Sequence, residues 1–227
     1  MRTLFYDDVY HFLYSSKMFQ QLMEEEQQAF LQQFADDAQF RTALAIAADF
    51  QTRIGKIAAV VTEGEATYEP FRQKRDVIAP LIIGLDTSRA IGSFEIQAQG
   101  LMFPLLELCA IQQRDCIVLT EDERFLFPHG SLLPTAVKGV QHIKVKEHTN
   151  MAVLYKQALQ LFDQYEAKRG GEFLLITANT FEPSAILEEV IHELQLRRIE
   201  LSAIVLDEKQ FEASSLLFLD KVFFPNA

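Results

Sequence analysis

The stretch Leu81-Ile82-Ile83-Gly84-Leu85 constrains this chain more than any other, because it is apolar without alternation. A strand with one wet face shows a polar residue at every second position. A strand with none is buried on both faces, the condition of a central strand in a parallel sheet covered by helices on either side. The run ends in Asp86-Thr87-Ser88 and leads at once into a long helical pattern. Its polar end therefore emerges at the carboxyl edge of the sheet, where open α/β folds place their ligands.

The rest of the second half repeats the alternation. A helix is predicted over residues 92–113, with Phe94, Ala98, Leu101, Leu105 and Leu108 on one face, followed by a buried strand at 116–119. Short edge-like strands are expected at 125–127 and 143–145, around a loop containing Pro128, Gly130, Pro134 and Gly139. A helix over 149–168 then precedes a strand at 173–176. Pro183 suits the first turn of a helix that carries Ile186, Leu187, Val190, Ile191 and Leu194. A strand at 201–206, a short helix near 214–219 and a last strand at 222–224 complete the pattern. Strands alternating with helices of this length imply βαβ units: an α/β, Rossmann-like fold with a mainly parallel central sheet flanked by helices.

Residues 1–62 read differently. They hold almost no Gly or Pro, and Phe19, Leu22, Met23, Phe30 and Phe34 fall on one face opposite the polar run 24–28. A second stripe runs Ile46, Phe50, Ile54, Ile57, Val61, with Asp36-Asp37 as the cap between the helices. Residues 63–76 are polar, contain Gly64 and Pro70, and read as a linker or surface loop. The chain therefore divides into a helical amino-terminal region with its linker (1–77) and an α/β domain (78–227).

A formal charge of −11 excludes bare affinity for nucleic acid or for an anionic membrane. Cys109 and Cys116 lie in apolar surroundings without metal-ligand spacing and read as buried free thiols. No run approaches the ~20 apolar residues of a membrane span, and the amino terminus turns acidic before an apolar leader forms, so a cytoplasmic protein is expected.

Three segments should meet at the carboxyl edge: Asp86-Thr87-Ser88, His148-Thr149-Asn150 and Thr177-Ala178-Asn179. Asp86 supplies an anionic oxygen, and Ser88 and Thr149 supply hydroxyls, a hard oxygen set of the kind Mg²⁺ takes. The competing reading is helix capping, which uses the same residue types. A strand-end Asp also serves phosphoryl transfer, so a Mg²⁺-dependent phosphatase-like hydrolase using Asp86 is the enzymatic alternative. The D-x-D pair of such phosphatases is broken by Ser88, however, and no dinucleotide, P-loop or nucleophile-elbow motif occurs. The five histidines are scattered, with His148 alone near the proposed edge, and the chain is read as non-enzymatic.

The segment Leu85-Asp86-Thr87-Ser88-Arg89-Ala90-Ile91 resembles the D-T-S-G-S-M opening of von Willebrand factor type A (VWA) domains. Glu147-His148-Thr149-Asn150 is similar to their Gly-Gly-Thr turn, and Leu174-Leu175-Ile176-Thr177-Ala178-Asn179 to their L-L-I-T-D-G segment. With a helical region ahead of the domain, the chain most resembles the bacterial intracellular VWA proteins that accompany MoxR-type AAA+ ATPases. The resemblance implies a metal-ion-dependent adhesion site in which Asp86, Ser88 and Thr149 are residual Mg²⁺ positions. It also implies a degenerate site: Ala90 and Ala178 stand where a second Ser and a last Asp are expected, and Arg89 brings a cation that can turn inward onto Asp86. Asn179 or Glu182 could replace the missing acid. No cofactor is expected beyond weak Mg²⁺, and the implied partner is a protein, a MoxR-type AAA+ ATPase.

Overall fold

The structure, a computed structural model, describes residues 12–34, 37–49, 79–165, 171–178, 184–207 and 219–225. Six strands form one sheet in the order β3-β2-β1-β4-β5-β6: β1 (Leu81–Leu85), β2 (Cys116–Leu119), β3 (Arg124–Phe127), β4 (Glu172–Thr177), β5 (Glu200–Val205) and β6 (Lys221–Phe223). Every neighbouring pair is parallel except β2–β3. The mixed α/β fold with a mostly parallel sheet is therefore as expected, and β1 is one of the two central strands, with all five residues buried.

The two faces of β1 belong to different cores. Leu81, Ile83 and Leu85 join one apolar cluster, and Ile82 joins the other. Gly84 faces the second, where a Cβ would stand 2.6 Å from the Phe173 ring. That core is closed by α6 (Met151–Gln164) and α7 (Ala185–Leu196), whose caps are Asn150 and Ser184. Leu154, Ala158, Leu161 and Phe162 form the buried stripe of α6.

The first face is covered by α4 (Glu95–Gln112), entered through a 3₁₀ turn over Arg89–Phe94, and by α5 (Pro134–Gln141). Outside α4 lies a further layer: α1 (Lys17–Gln20), α2 (Glu24–Phe34) and α3 (38–49). Asp37 caps α3 as expected, its Oδ1 accepting from the Gln39 and Phe40 amides at 2.8 and 3.1 Å. The Glu107 carboxylate of α4 accepts the Lys17 and Met18 amides, both at 2.9 Å, and so caps α1 from across the layer. Phe19, Phe30, Phe34, Phe40 and Phe103 contact one another in an aromatic chain that joins this layer to α4. The helical residues and the first sheet face share one continuous core.

That extra layer explains a correction. The stripe expected on α4 included Leu105 and Leu108, yet Leu108 is 41% exposed, and Gly100, Met102, Phe103, Leu106 and Cys109 are buried instead. A helix clamped between a sheet and a second helical layer is buried over most of its circumference, so one apolar face cannot be read from its sequence. The stretch Arg89–Gln112 is long and apolar enough to cross a membrane by length and composition, but more than half of its apolar window is buried in this fold.

Three further expectations differ. Residues 143–145 do not form a strand, while α5 occupies part of the loop read around Pro134. Pro134 opens that helix at a position needing no amide donor, and Gly139 leaves the space filled by the Phe125 ring. Ile186 and Met23, both assigned to buried faces, are 64% and 68% exposed. Cys109 and Cys116 are buried free thiols. Most of the second amino-terminal stripe, the 63–76 linker, Pro183 and residues 214–218 lie outside the described residues.

Candidate functional site

β1 is the strand at which the connections change direction: the chain leaves it for β2 on one side, and β4 lies on the other. The carboxyl end of such a strand faces a crevice between diverging loops. Asp86 follows β1 directly, its amide donating to the Ile176 carbonyl of β4 at 2.9 Å. The side chain is 1% exposed. Its Oδ1 accepts the Ser88 amide at 2.8 Å, and its Oδ2 accepts the Ser88 hydroxyl at 3.0 Å and the Thr177 hydroxyl at 2.8 Å. The carboxylate thus closes its own turn and ties the end of β1 to the end of β4. Three donors, none of them charged, compensate its desolvation.

Thr149 reaches the same edge from the start of α6. Its Oγ1 accepts the Thr87 amide at 2.9 Å and lies 3.2 Å from the Thr87 hydroxyl. The Thr87 carbonyl accepts the Lys146 amide at 2.7 Å, and the Glu147 carbonyl accepts the Arg89 amide at 3.4 Å. Residues 143–150, which carry no regular structure, therefore lie as a strap along the segment that leaves β1. The Lys146 ammonium ion-pairs with Asp122 and, at 3.5 Å, with Glu121 in the turn after β2. The hydrogen bond it donates to Asp122 holds that ammonium above its ordinary pKa. Glu121 also accepts the Asn150 amide at 3.5 Å, and its carbonyl accepts the Gln157 amide group at 2.9 Å. Behind the strap is a hollow of about 20 Å³ lined by Asp86, Thr87, Ile91, Gln99, Ile143 and Val145.

The sequence-predicted residues Asp86, Ser88 and Thr149 are therefore brought to one edge, with Thr87 between them. Arg89 does not turn inward: it is exposed, and the partners of the Asp86 carboxylate are Ser88 and Thr177. The reason is local, because the 3₁₀ turn that begins at Arg89 directs it away from a carboxylate already filled by nearer donors. His148 is exposed and Ala178 is buried. Asn179 and Glu182 lie outside the described residues. Among the described residues no group of three or more His, Cys, Asp or Glu side chains could hold a metal ion.

Two contributors were missed. Thr177 stood in the third quoted segment without a role, and the one signal available was a hydroxyl at the last position of an otherwise apolar strand. The Lys146 ion pairs had no signal at all, since they join residues more than twenty positions apart.

No family model matches the sequence, and no curated protein matches it. Among solved structures the chain is similar to one described as von Willebrand factor type A from Catenulispora acidiphila, at 16% identity and a TM-score of 0.49. The match covers 65% of this chain and 39% of that one. A likeness this distant says nothing of chemistry; the strand order and the geometry of the edge stand on the structure itself.

Proposed function

We propose that this chain is a non-enzymatic protein-interaction module, a VWA-type domain with a degenerate metal-ion-dependent adhesion site, acting as an adaptor in the cytoplasm. The observation that carries the reading is the state of Asp86. Both of its oxygens are taken by donors of this chain, and the hydroxyls of Ser88 and Thr177 direct their protons at the carboxylate. Thr149 spends its oxygen on Thr87. One carboxylate, with Ala90 and Ala178 contributing no oxygen, is a poor exchange for the hydration shell that Mg²⁺ surrenders reluctantly. The donor set does not fit the ion, and the hydrogen bonds do the work of holding the edge together. The same closure leaves Asp86 unsuited to attack a phosphoryl group, since a nucleophilic carboxylate needs an oxygen open to substrate.

The partner docks at the carboxyl edge or on the amino-terminal helices. Order and spacing of the three motif-like segments, with a helical region ahead of them, support a MoxR-type AAA+ ATPase as that partner. Affinity capture of the tagged chain from its native host, followed by mass spectrometry, should recover such an ATPase; recovery of none counts against the assignment. Calorimetric titration with Mg²⁺ or Mn²⁺ should show no micromolar binding. Micromolar affinity lost in Asp86→Ala would overturn the degenerate site, and Mg²⁺-dependent turnover of p-nitrophenyl phosphate lost in Asp86→Asn would favour the hydrolase.

A further inference from the structure

The strap over residues 143–150 differs from the rest of the edge in how it is held. Lys144, Val145, Glu147, His148 and Asn150 are exposed, and the hollow of about 20 Å³ beneath Ile143 and Val145 separates the strap from α4. Its polar attachments to the body include the two bonds to the Thr87 backbone, the Thr87–Thr149 hydroxyl contact, the longer bonds from Arg89 to Glu147 and from Asn150 to Glu121, and the Lys146 ion pairs. A segment with little buried apolar area and solvent-facing hydrogen bonds opens well below the cost of global unfolding. Ile143 packs against the first core at one end of the strap, while Val145 is 40% exposed, so from Lys144 onward the polar attachments decide whether the strap is down.

We propose that the strap is a latch on the candidate site, fastened by Lys146 on Glu121 and Asp122, and that its release withdraws Thr149 from Thr87 and uncovers the end of β1. Glu121 is the hub of the fastening. Its Oε2 lies 3.5 Å from both the Lys146 ammonium and the Asn150 amide at the start of α6, so one oxygen meets both ends of the segment that presents Thr149. Lys146 is a positioning residue, acting on the site through the Thr87 backbone bond made by its own amide. Because the side chains of the pair are partly exposed, at 36% for Lys146 and 25% for Glu121, salt weakens the fastening while leaving the apolar core untouched. The latch does not depend on which partner docks at the edge, so its failure would leave the adaptor reading standing, and the reverse holds.

Hydrogen exchange on the full chain tests the latch. The Thr87 amide, which donates to Thr149, should exchange about two- to fivefold faster in Lys146→Met, the range an exposed ion pair is worth. Core amides such as Ile83 and Leu175 should keep their rates. Lys146→Arg should restore the slow rate, and Glu121→Gln should reproduce the fast one. Raising NaCl from 0.05 to 1 M should speed Thr87 exchange in the unaltered chain and have little effect in Lys146→Met. An unchanged Thr87 rate in Lys146→Met, or Thr87 exchanging only in step with Ile83 and Leu175, would overturn the proposal.

Discussion

Replacing Asp86 by Ala removes an acceptor that Ser88 and Thr177 share in a site closed to water. Hydrogen bonds to a charged acceptor contribute about 1.5–3 kcal/mol, and the three here are coupled through one carboxylate. The substitution should therefore cost about 2–4 kcal/mol, read as a lower urea midpoint, and Mg²⁺ should change neither value. Tyr155 is a second residue whose chemistry is set by burial. Fully enclosed beside the Phe173 ring, its phenol is pushed well above the ordinary value of 10. The unfolded chain then releases a proton that the native state keeps, so the stability contributed is complete below pH 10 and falls as pH rises past it. Burial raises the Cys116 thiol, while the hydrogen bond with Cys116 lowers that of Cys109, so the two thiols act in opposite senses near pH 9. Urea midpoints should drop as pH rises past 10, and Tyr155→Phe should make that drop shallower.

At the scale of elements, the crossing of α3 and α4 is the contact that sets the molecule's shape on one face. Gly100 permits it, because a Cβ there would lie 2.8 Å from both the Ala43 carbonyl oxygen and the Ile46 Cβ. Gly100→Ala should gain up to about 1 kcal/mol of helix propensity. It should lose more than it gains, since a backbone oxygen cannot move aside like a side-chain tip, and overpacking costs about 1–3 kcal/mol. The expected net effect is a lower melting temperature, with chemical-shift changes concentrated in residues 38–49. A rise in melting temperature would mean that the two helices do not approach this closely. Elements also mark where local pattern fails. The segment 143–145 has the alternation of a strand, yet it joins neither edge of the sheet, which ends at β3 on one side and β6 on the other. The residues that follow it, Lys146 to Thr149, bond Thr87 and Arg89 at isolated points and not in a ladder, so the segment lies as a strap.

For the molecule as a whole, the boundary at residue 77 separates two kinds of sequence but not two cores. Leu13, Met18, Phe19, Phe30 and Phe40 belong to the same buried cluster as Ile83, Leu101 and Val118. The Leu132 amide donates to the Met18 carbonyl, and the Gln21 side chain donates to the Ala110 carbonyl, so polar contacts cross the boundary as well. A fragment of residues 78–227 should expose the outer side of α4 around Gly100, Phe103 and Glu107. It should bind a hydrophobic dye and aggregate on concentration. Cooperative unfolding of that fragment at the midpoint of the full chain would show instead that the helical layer is dispensable for folding.

What the sequence determined by itself is the part governed by local period and run length. The unbroken apolar run at Leu81–Leu85 required a strand covered on both faces, and the alternation after it required a mostly parallel sheet. The polar residues closing three strands or loops then had to collect at one edge, which is why Asp86, Ser88 and Thr149 were legible. Tertiary structure alone decided what depends on partners distant in sequence. It placed a helical layer over α4 and erased the one-sided stripe expected there. It turned the Thr177 hydroxyl onto Asp86, left Arg89 outside, and set Lys146 between Glu121 and Asp122. A hydrogen bond or ion pair carries no period along the chain, so the chemistry of the edge became readable only once the sheet had brought its ends together.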